Sequence, residues 1–199
     1  MKFTVLASAA TAALMSALPA QAATTIYNAL LTGAAEAPPN GSGGSGFAIV
    51  TLDDTSFTMR VQSVFAGLTG TVTAAHIHCC TLTPGTGTAG VATTTPTFTG
   101  FPSGVSTGTY DVTFNMLSAG SWNAAYITNN GGTVNSAFTA LQTGLNSGSA
   151  YFNIHSSTFG GGEIRGFLVT QVPEPSTYAL MALGLAVVGG LARRRKLAA

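Results

Sequence analysis

Charged residues are scarce in this 199-residue chain, in which Asp, Glu, Lys and Arg together make up 7% of the sequence. Residues 23–171 contain five acidic side chains, two arginines and no lysine, which leaves a net charge of −3. A nucleic-acid-binding protein needs a basic face to neutralise phosphates. The composition therefore excludes nucleic acid as a partner and indicates a surface made soluble by Thr, Ser, Asn and Gly.

Reactive side chains are also few, with three histidines, two cysteines and one tryptophan in the whole chain. The residues show no nucleophile–base arrangement of the kind that covalent catalysis requires. We therefore expect a protein that is not an enzyme.

The N-terminus has the three parts of a secretory signal peptide. Lys2 supplies a positive start, residues 3–18 are apolar, and Ala20-Gln21-Ala22 provides the small residues that signal peptidase requires. The apolar run is shorter than the ~20 residues of a spanning helix, which disfavours an uncleaved anchor. We expect residues 1–22 to be removed during export.

The C-terminus combines a short motif, an apolar stretch and a basic cluster. Pro173-Glu174-Pro175 precedes fifteen apolar residues, 178–192. Four basic residues follow: Arg193, Arg194, Arg195 and Lys196. As a helix the stretch would reach ~22 Å, short of a ~30 Å hydrocarbon core, but snorkelling of the flanking arginines would let it span. The basic cluster favours a cytoplasmic end, which places the preceding domain on the opposite side of the membrane.

This tail, residues 172–199, resembles the PEP-CTERM sorting signal of Gram-negative bacteria. The resemblance implies recognition by an exosortase in the inner membrane and cleavage near Pro173-Glu174-Pro175. It further implies a precursor that is anchored in the inner membrane and faces the periplasm, and then delivery to the cell surface or the extracellular matrix, often in exopolysaccharide-producing bacteria. A plain C-terminal anchor is the alternative.

Residues 23–171 form one domain in which short alternating segments are separated by turn clusters. This pattern predicts an all-β fold, an antiparallel β-sandwich or barrel with one or two short helices. We expect strands at 25–31, 46–52, 56–65, 71–78, 97–101, 110–114, 150–155 and 162–171, a long loop at 81–95, a helical turn at 122–130 and a helix at 136–144 that stops at Gly144.

All three histidines fall in strand-like segments. His76 and His78 are two residues apart, so on a strand they share a face with Cβ atoms about 7 Å apart. His155 on a neighbouring strand would complete a three-histidine set with an open fourth position for zinc or copper. Two alternatives stay open, a structural hydrogen-bond network and a site for a small ligand or sugar.

A hairpin of 150–155 with 162–171 would bring further polar residues to the histidines. Pairing His155 with Glu163 sets Asn153 opposite Arg165 and matches the polar and apolar faces of the two strands. Glu163 would then either orient an imidazole or pair with Arg165.

The segments that carry these residues resemble the CHRD (chordin) domain. They are 75–78, 153–155 and 162–166, supported by 36–39 and 65–68. The resemblance spans residues 25–169 and implies a β-rich extracellular domain, but it supplies no reaction. The usual Gly-Pro step after the first histidine pair is replaced here by Cys79-Cys80.

Cys79 and Cys80 are adjacent, with α-carbons ~3.8 Å apart across a trans peptide. A strained ring between them, a bridge to another chain, a thiolate beside the histidines and a plain loop role all stay open.

Three functions follow in order of preference. The first is a non-catalytic cell-surface or extracellular-matrix module. The second is a secreted zinc or copper protein that uses His76, His78 and His155. The third is a polysaccharide-binding protein that stacks sugars on Trp122, Tyr126 and Tyr151.

Overall fold

The computed structural model describes residues 24–170, together with residues 181 and 183–186, which are helical. The predicted signal peptide (1–22) lies outside the described residues, as does all of the predicted sorting tail (172–199) except those five positions. Among the described residues, no helix is long and apolar enough to cross a membrane.

Residues 24–170 form eight β-strands and two α-helices. In chain order they are β1 (Thr24–Thr32), β2 (Ser45–Asp53), β3 (Thr58–Ala66), β4 (Val72–His78), β5 (Gly108–Asn115), α1 (Ala124–Asn129), α2 (Val134–Asn146), β6 (Tyr151–Ser156), β7 (Ile164–Phe167) and β8 (Val169–Thr170).

The strands form one curled, half-barrel sheet in the order β4-β6-β7-β1-β2-β3-β5, with β8 also paired to β1. Every pairing is antiparallel. The expectation of an antiparallel all-β fold with few short helices is therefore confirmed.

Alternation along the strands decides which face meets the core. In β2, Ala48, Val50 and Leu52 are buried, and Phe47 lies on the opposite, more open face. Helix α2 covers the inner face with apolar residues at helical spacing, and a capping box at its start satisfies free backbone N–H groups. The core therefore lies between the sheet and the two helices.

Two details of the predicted elements are wrong. Residues 97–101 do not form a strand, because after one bond from the Phe98 N–H to the Ala75 carbonyl the chain turns at Gly100, whose φ is +77°. Helix α2 does not stop at Gly144 but continues to Asn146, and the left-handed glycine after it is Gly148.

Residues 89–98, which we call the strap, run along the outer edge of β4. The Ala92 N–H donates to the Ile77 carbonyl, and the Thr93 hydroxyl accepts from the Ile77 N–H. The strap thereby covers an edge that would otherwise expose unpaired backbone groups.

The predicted hairpin register is confirmed for the pairs Asn153–Arg165 and Tyr151–Phe167. Its polar face, however, is not solvated, since Tyr151, Asn153 and Arg165 are 2%, 3% and 4% exposed. Loops from distant parts of the chain cover them.

Candidate metal centre

The three histidines converge on one point. His76 and His78 lie on β4, and β6 pairs with β4 so that His155 lies opposite Ala74, beside the His76 position. The ring centroid of His76 is 4.7 Å from that of His78 and 4.7 Å from that of His155. One ring nitrogen from each histidine lies within 4.8 Å of the others. The structure therefore groups the residues that the spacing predicted.

Each imidazole is held by a backbone carbonyl at Nδ1. The bonds run from His76 to Pro96 (2.9 Å), from His78 to Ala89 (2.8 Å) and from His155 to Gly160 (2.9 Å). A carbonyl oxygen only accepts, so each Nδ1 carries a proton, and the neutral form of each ring keeps a lone pair on Nε2.

The Nε2 atoms face one another rather than a donor. Those of His76 and His155 are 3.0 Å apart, and Nε2 of His78 is buried without a hydrogen-bond partner among the described residues. Lone pairs so placed repel unless a positive species lies between them. Two imidazole nitrogens on one tetrahedral zinc are about 3.3 Å apart, given Zn–N bonds of ~2.0–2.1 Å. The 3.0 Å separation of the His76 and His155 nitrogens is close to that value.

Burial keeps two of the rings neutral. It lowers the pKa of His76 to about 4, helped by the neighbouring His78 ring. Burial likewise lowers the pKa of His78 to about 4, helped by the neighbouring His155 ring and the Arg165 guanidinium. Both imidazoles are therefore unprotonated near neutral pH, as metal coordination requires.

A stack of side chains fixes the His78 ring. The Tyr151 ring lies parallel to it at 4.6 Å, and the Arg165 guanidinium lies 4.7 Å from the Tyr151 centroid. The Tyr151 hydroxyl also bonds to Ala89, the residue that accepts from His78. Strap and stack together set the orientation of this imidazole.

Glu163 does not take either predicted role. Its buried carboxylate accepts hydrogen bonds from the Ser42 hydroxyl at 2.6 Å and from the backbone N–H groups of Thr69 and Gly70. Burial opposes its ionisation, but hydrogen bonding from Ser156 and from these three groups outweighs burial and lowers the pKa of Glu163. The residue joins two loops instead of orienting an imidazole, because one loop brings the Ser42 hydroxyl to it and the other brings two backbone N–H groups.

Arg165 pairs with a different carboxylate. Its Nε donates to the Ala35 carbonyl at 2.5 Å and lies 3.7 Å from Glu36 Oε2. Burial raises the pKa of Glu36 to about 7, against the opposing effect of Arg165. The remaining oxygen of Glu36 and Oδ1 of Asn153 are buried without partners among the described residues. Glu36 was not predicted as part of this cluster, and its one signal was its place in the CHRD-like segment 36–39.

Cys79 and Cys80 are bonded to each other, with α-carbons 3.1 Å apart across a cis peptide bond. Cys79 belongs to the hydrophobic core, and both sulfurs pack against Gly144 of α2. In this form neither cysteine offers the histidines a thiolate.

The aromatic residues considered for sugar stacking are buried. Trp122 and Tyr126 stack on each other with centroids 5.9 Å apart, and Tyr151 lies against His78. Their ring faces are therefore taken up by protein contacts.

Comparison with known proteins agrees with both resemblances. The family model described as CHRD domain matches residues 27–168, and the PEP-CTERM protein-sorting motif matches residues 171–196. No curated protein and no solved structure matches the chain.

Proposed function

Because the chain belongs to the CHRD domain family and carries a PEP-CTERM sorting motif, we propose that it is an exported, non-catalytic surface or matrix module that binds zinc or copper. The sorting motif indicates exosortase-dependent export and membrane-anchored sorting to the cell envelope or surface. His76, His78 and His155 are the ligands.

One observation carries the metal assignment. Three Nε2 lone pairs face a common point, while each Nδ1 proton is taken by a backbone carbonyl. Metal-binding histidines are typically oriented in this way. A purely structural network would instead pair donors with acceptors, as Glu163 does in the same domain.

The ligand set favours zinc or copper. Imidazole nitrogen suits both ions, whereas calcium and magnesium prefer oxygen. Three neutral ligands leave the ion its full charge and a further coordination position. When bound, the ion would link β4 to β6 and supply a Lewis-acidic centre on the exported domain.

The non-catalytic part of the proposal is supported by how the nearby carboxylates are used. Glu163 is fully hydrogen-bonded to two loops, and Glu36 lies beside Arg165. Neither is placed against the histidine cluster as a general base. The low charge and the many hydroxyl and amide side chains also suit a hydrated matrix.

The test is the metal content of the full chain, purified without an affinity tag, beside His76→Ala. We expect about one zinc or copper ion per chain, lost in His76→Ala and retained in Gln62→Ala on β3. Because His76 is buried, the half-buried His155→Ala serves as a second variant, and circular dichroism confirms that each variant folds.

No bound metal, even after loading with zinc and with copper, would contradict the metal site and make the cluster a strand-tying network. For the surface or matrix role, deletion of the gene is expected to impair adhesion or matrix integrity. Unaltered adhesion and matrix would contradict that part of the proposal.

A further inference from the structure

A cavity of about 300 Å³ lies at the end of β4. Its walls are the Cys79–Cys80 disulfide, the strap residues Gly90 and Val91, and one side of α1 with its flanking asparagines. The strap lies between this cavity and the histidines, since His78 bonds to Ala89 at the start of the strap. The cavity is therefore a separate place in the fold.

The disulfide is held rigidly beside this cavity. Both sulfurs pack onto Gly144 of α2, where a Cβ atom would overlap them. Glycine inside a helix destabilises it by roughly 1 kcal/mol relative to alanine. Glycine is needed at position 144 because any larger residue would overlap the disulfide. The sulfurs, packed against the helix in this way, form a fixed apolar surface.

The opposite wall is held by Asn123. Its amide donates to the Val91 carbonyl at 3.0 Å, and its oxygen accepts from the Ala125 N–H at 3.0 Å. This side chain links the strap to α1 and keeps the cavity open with both of its polar atoms engaged.

Three other polar side chains of the cavity lining keep donors or acceptors that are not used in strong hydrogen bonds. Among the described residues, the Asn129 side chain makes no hydrogen bond, and Asn130 uses its nitrogen, bonded to the Tyr126 carbonyl at 2.8 Å, but not its oxygen. The Tyr126 hydroxyl lies 3.7 Å from Cys80 Sγ, a weak acceptor. Donors and acceptors are therefore available to a ligand.

We propose that this cavity binds a neutral, polyhydroxylated ligand, a glycosyl unit of a polysaccharide. No lining residue is acidic or basic, so an ionic ligand would find no counter-charge. Carboxamides both donate and accept, which matches neighbouring sugar hydroxyls. The disulfide offers a polarisable apolar surface to the C–H face of a sugar ring. The volume, at the lower end for small-molecule sites, suits a single ring.

The test is saturation-transfer-difference NMR on the purified full chain, with the methyl glycosides of glucose, galactose, mannose and N-acetylglucosamine as probes. We expect transfer to the ring protons of at least one glycoside, with a Kd on the order of 1 mM. Asn129→Ala is expected to raise that Kd about tenfold, the loss of one to two hydrogen bonds. Thr128→Ala, whose hydroxyl bonds to the Ala124 carbonyl outside the cavity, is the matched control.

A second variant, Ala125→Trp, fills the cavity from the exposed first turn of α1 and is expected to abolish transfer while the circular dichroism spectrum is retained. Chelation of metal with EDTA is expected to leave glycoside binding unchanged, because the two sites are separate. Absence of transfer to all four probes, or transfer that persists in Ala125→Trp or is undiminished in Asn129→Ala, would overturn the proposal.

Discussion

On the half of the sheet formed by β1, β2, β3 and β5, the outward side chains Leu30 and Val64 are 68% and 50% exposed. On the half formed by β4, β6 and β7, the outward side chains Tyr151 and Asn153 are almost fully buried. We call these the open half and the covered half. Both are antiparallel ladders, and the register shift between Val72 and Ala74 lies away from Tyr151 and Asn153, so the strands themselves do not account for the difference. Loops pack onto the outward face of the covered half and bury its side chains, and the histidine cluster lies among these buried side chains.

The charged residues also differ in exposure between the two halves. Arg60 and Asp111 on the open half form an exposed bidentate pair with bonds of 2.7 and 2.6 Å. Pairs of this kind contribute about 0–1 kcal/mol. Glu163 on the covered half is fully buried and bonded to two loops. The exposed carboxylate of Asp111 and the buried carboxylate of Glu163 are therefore expected to contribute unequally to the free energy of unfolding.

The largest effect on stability is expected from Glu163→Ala. It removes the acceptor of two backbone N–H groups and leaves them buried, which we expect to lower the free energy of unfolding by about 3 kcal/mol. Asp111→Ala on the open half should change it much less, because water screens an exposed ion pair. Urea unfolding of both variants measures the difference, and equal losses would contradict the distinction between the halves.

The pH dependence of stability should also follow Glu163. Its folded pKa is lowered below the unfolded value, so its ionised form stabilises the fold above the unfolded pKa. That stability is lost as the pH falls through the folded pKa. We expect Glu163→Gln to lose less stability than the wild-type protein on acidification below about pH 4.5.

Asp111 provides the comparison, because the Arg60 hydrogen bond lowers its pKa as well. Asp111→Asn should alter the acid dependence less than Glu163→Gln, and high salt should screen its contribution. Unfolding curves across the acid range would contradict the assignment if the two variants behaved alike.

A smaller effect is expected from Tyr151→Phe, which removes the hydroxyl that bonds to the strap at Ala89. Stability should fall by about 1 kcal/mol. The affinity for zinc should fall about tenfold, because the orientation of His78 is loosened. Isothermal titration with zinc measures the second quantity.

Tyr110→Phe is the matched control on the open half. Its hydroxyl donates to the Thr99 carbonyl at 2.8 Å, so the variant loses a comparable hydrogen bond. Zinc affinity should be unchanged. A loss of affinity in both variants, or in neither, would contradict the role given to Tyr151.

The smallest effect is expected from Leu30→Thr on the open half. Its side chain is already exposed, so the substitution removes little buried apolar surface. The free energy of unfolding should therefore change by less than about 0.5 kcal/mol. A thermal melt measures this. A loss above about 2 kcal/mol would show that the open face is covered in solution.

Much of the sheet could be predicted from local patterns. Short alternating segments between turn clusters predicted β2 and β3, and matching of faces identified the Asn153–Arg165 register. Residues 97–101 were misassigned because Thr97-Phe98-Thr99 alternates as a strand does. In the structure the segment makes one backbone hydrogen bond to β4 and then turns at Gly100. The shared face of His76 and His78 followed from side-chain period, which is a short-range property. The approach of His155, 79 residues from His76, depends on the long-range pairing of β4 with β6.

The sequence by itself determined the alternation of the strands, the shared face of His76 and His78, and the sorting motif at the C-terminal end. Only the tertiary structure decided that the polar face of the β6–β7 hairpin is buried and that Nδ1 of each histidine bonds to a backbone carbonyl. It also decided that the Glu163 carboxylate accepts hydrogen bonds from residues 42, 69 and 70. The physical reason is distance along the chain, since Gly70 and Glu163 are 93 residues apart and no local pattern encodes their contact. Burial by such distant loops turns a polar strand face into a candidate metal site.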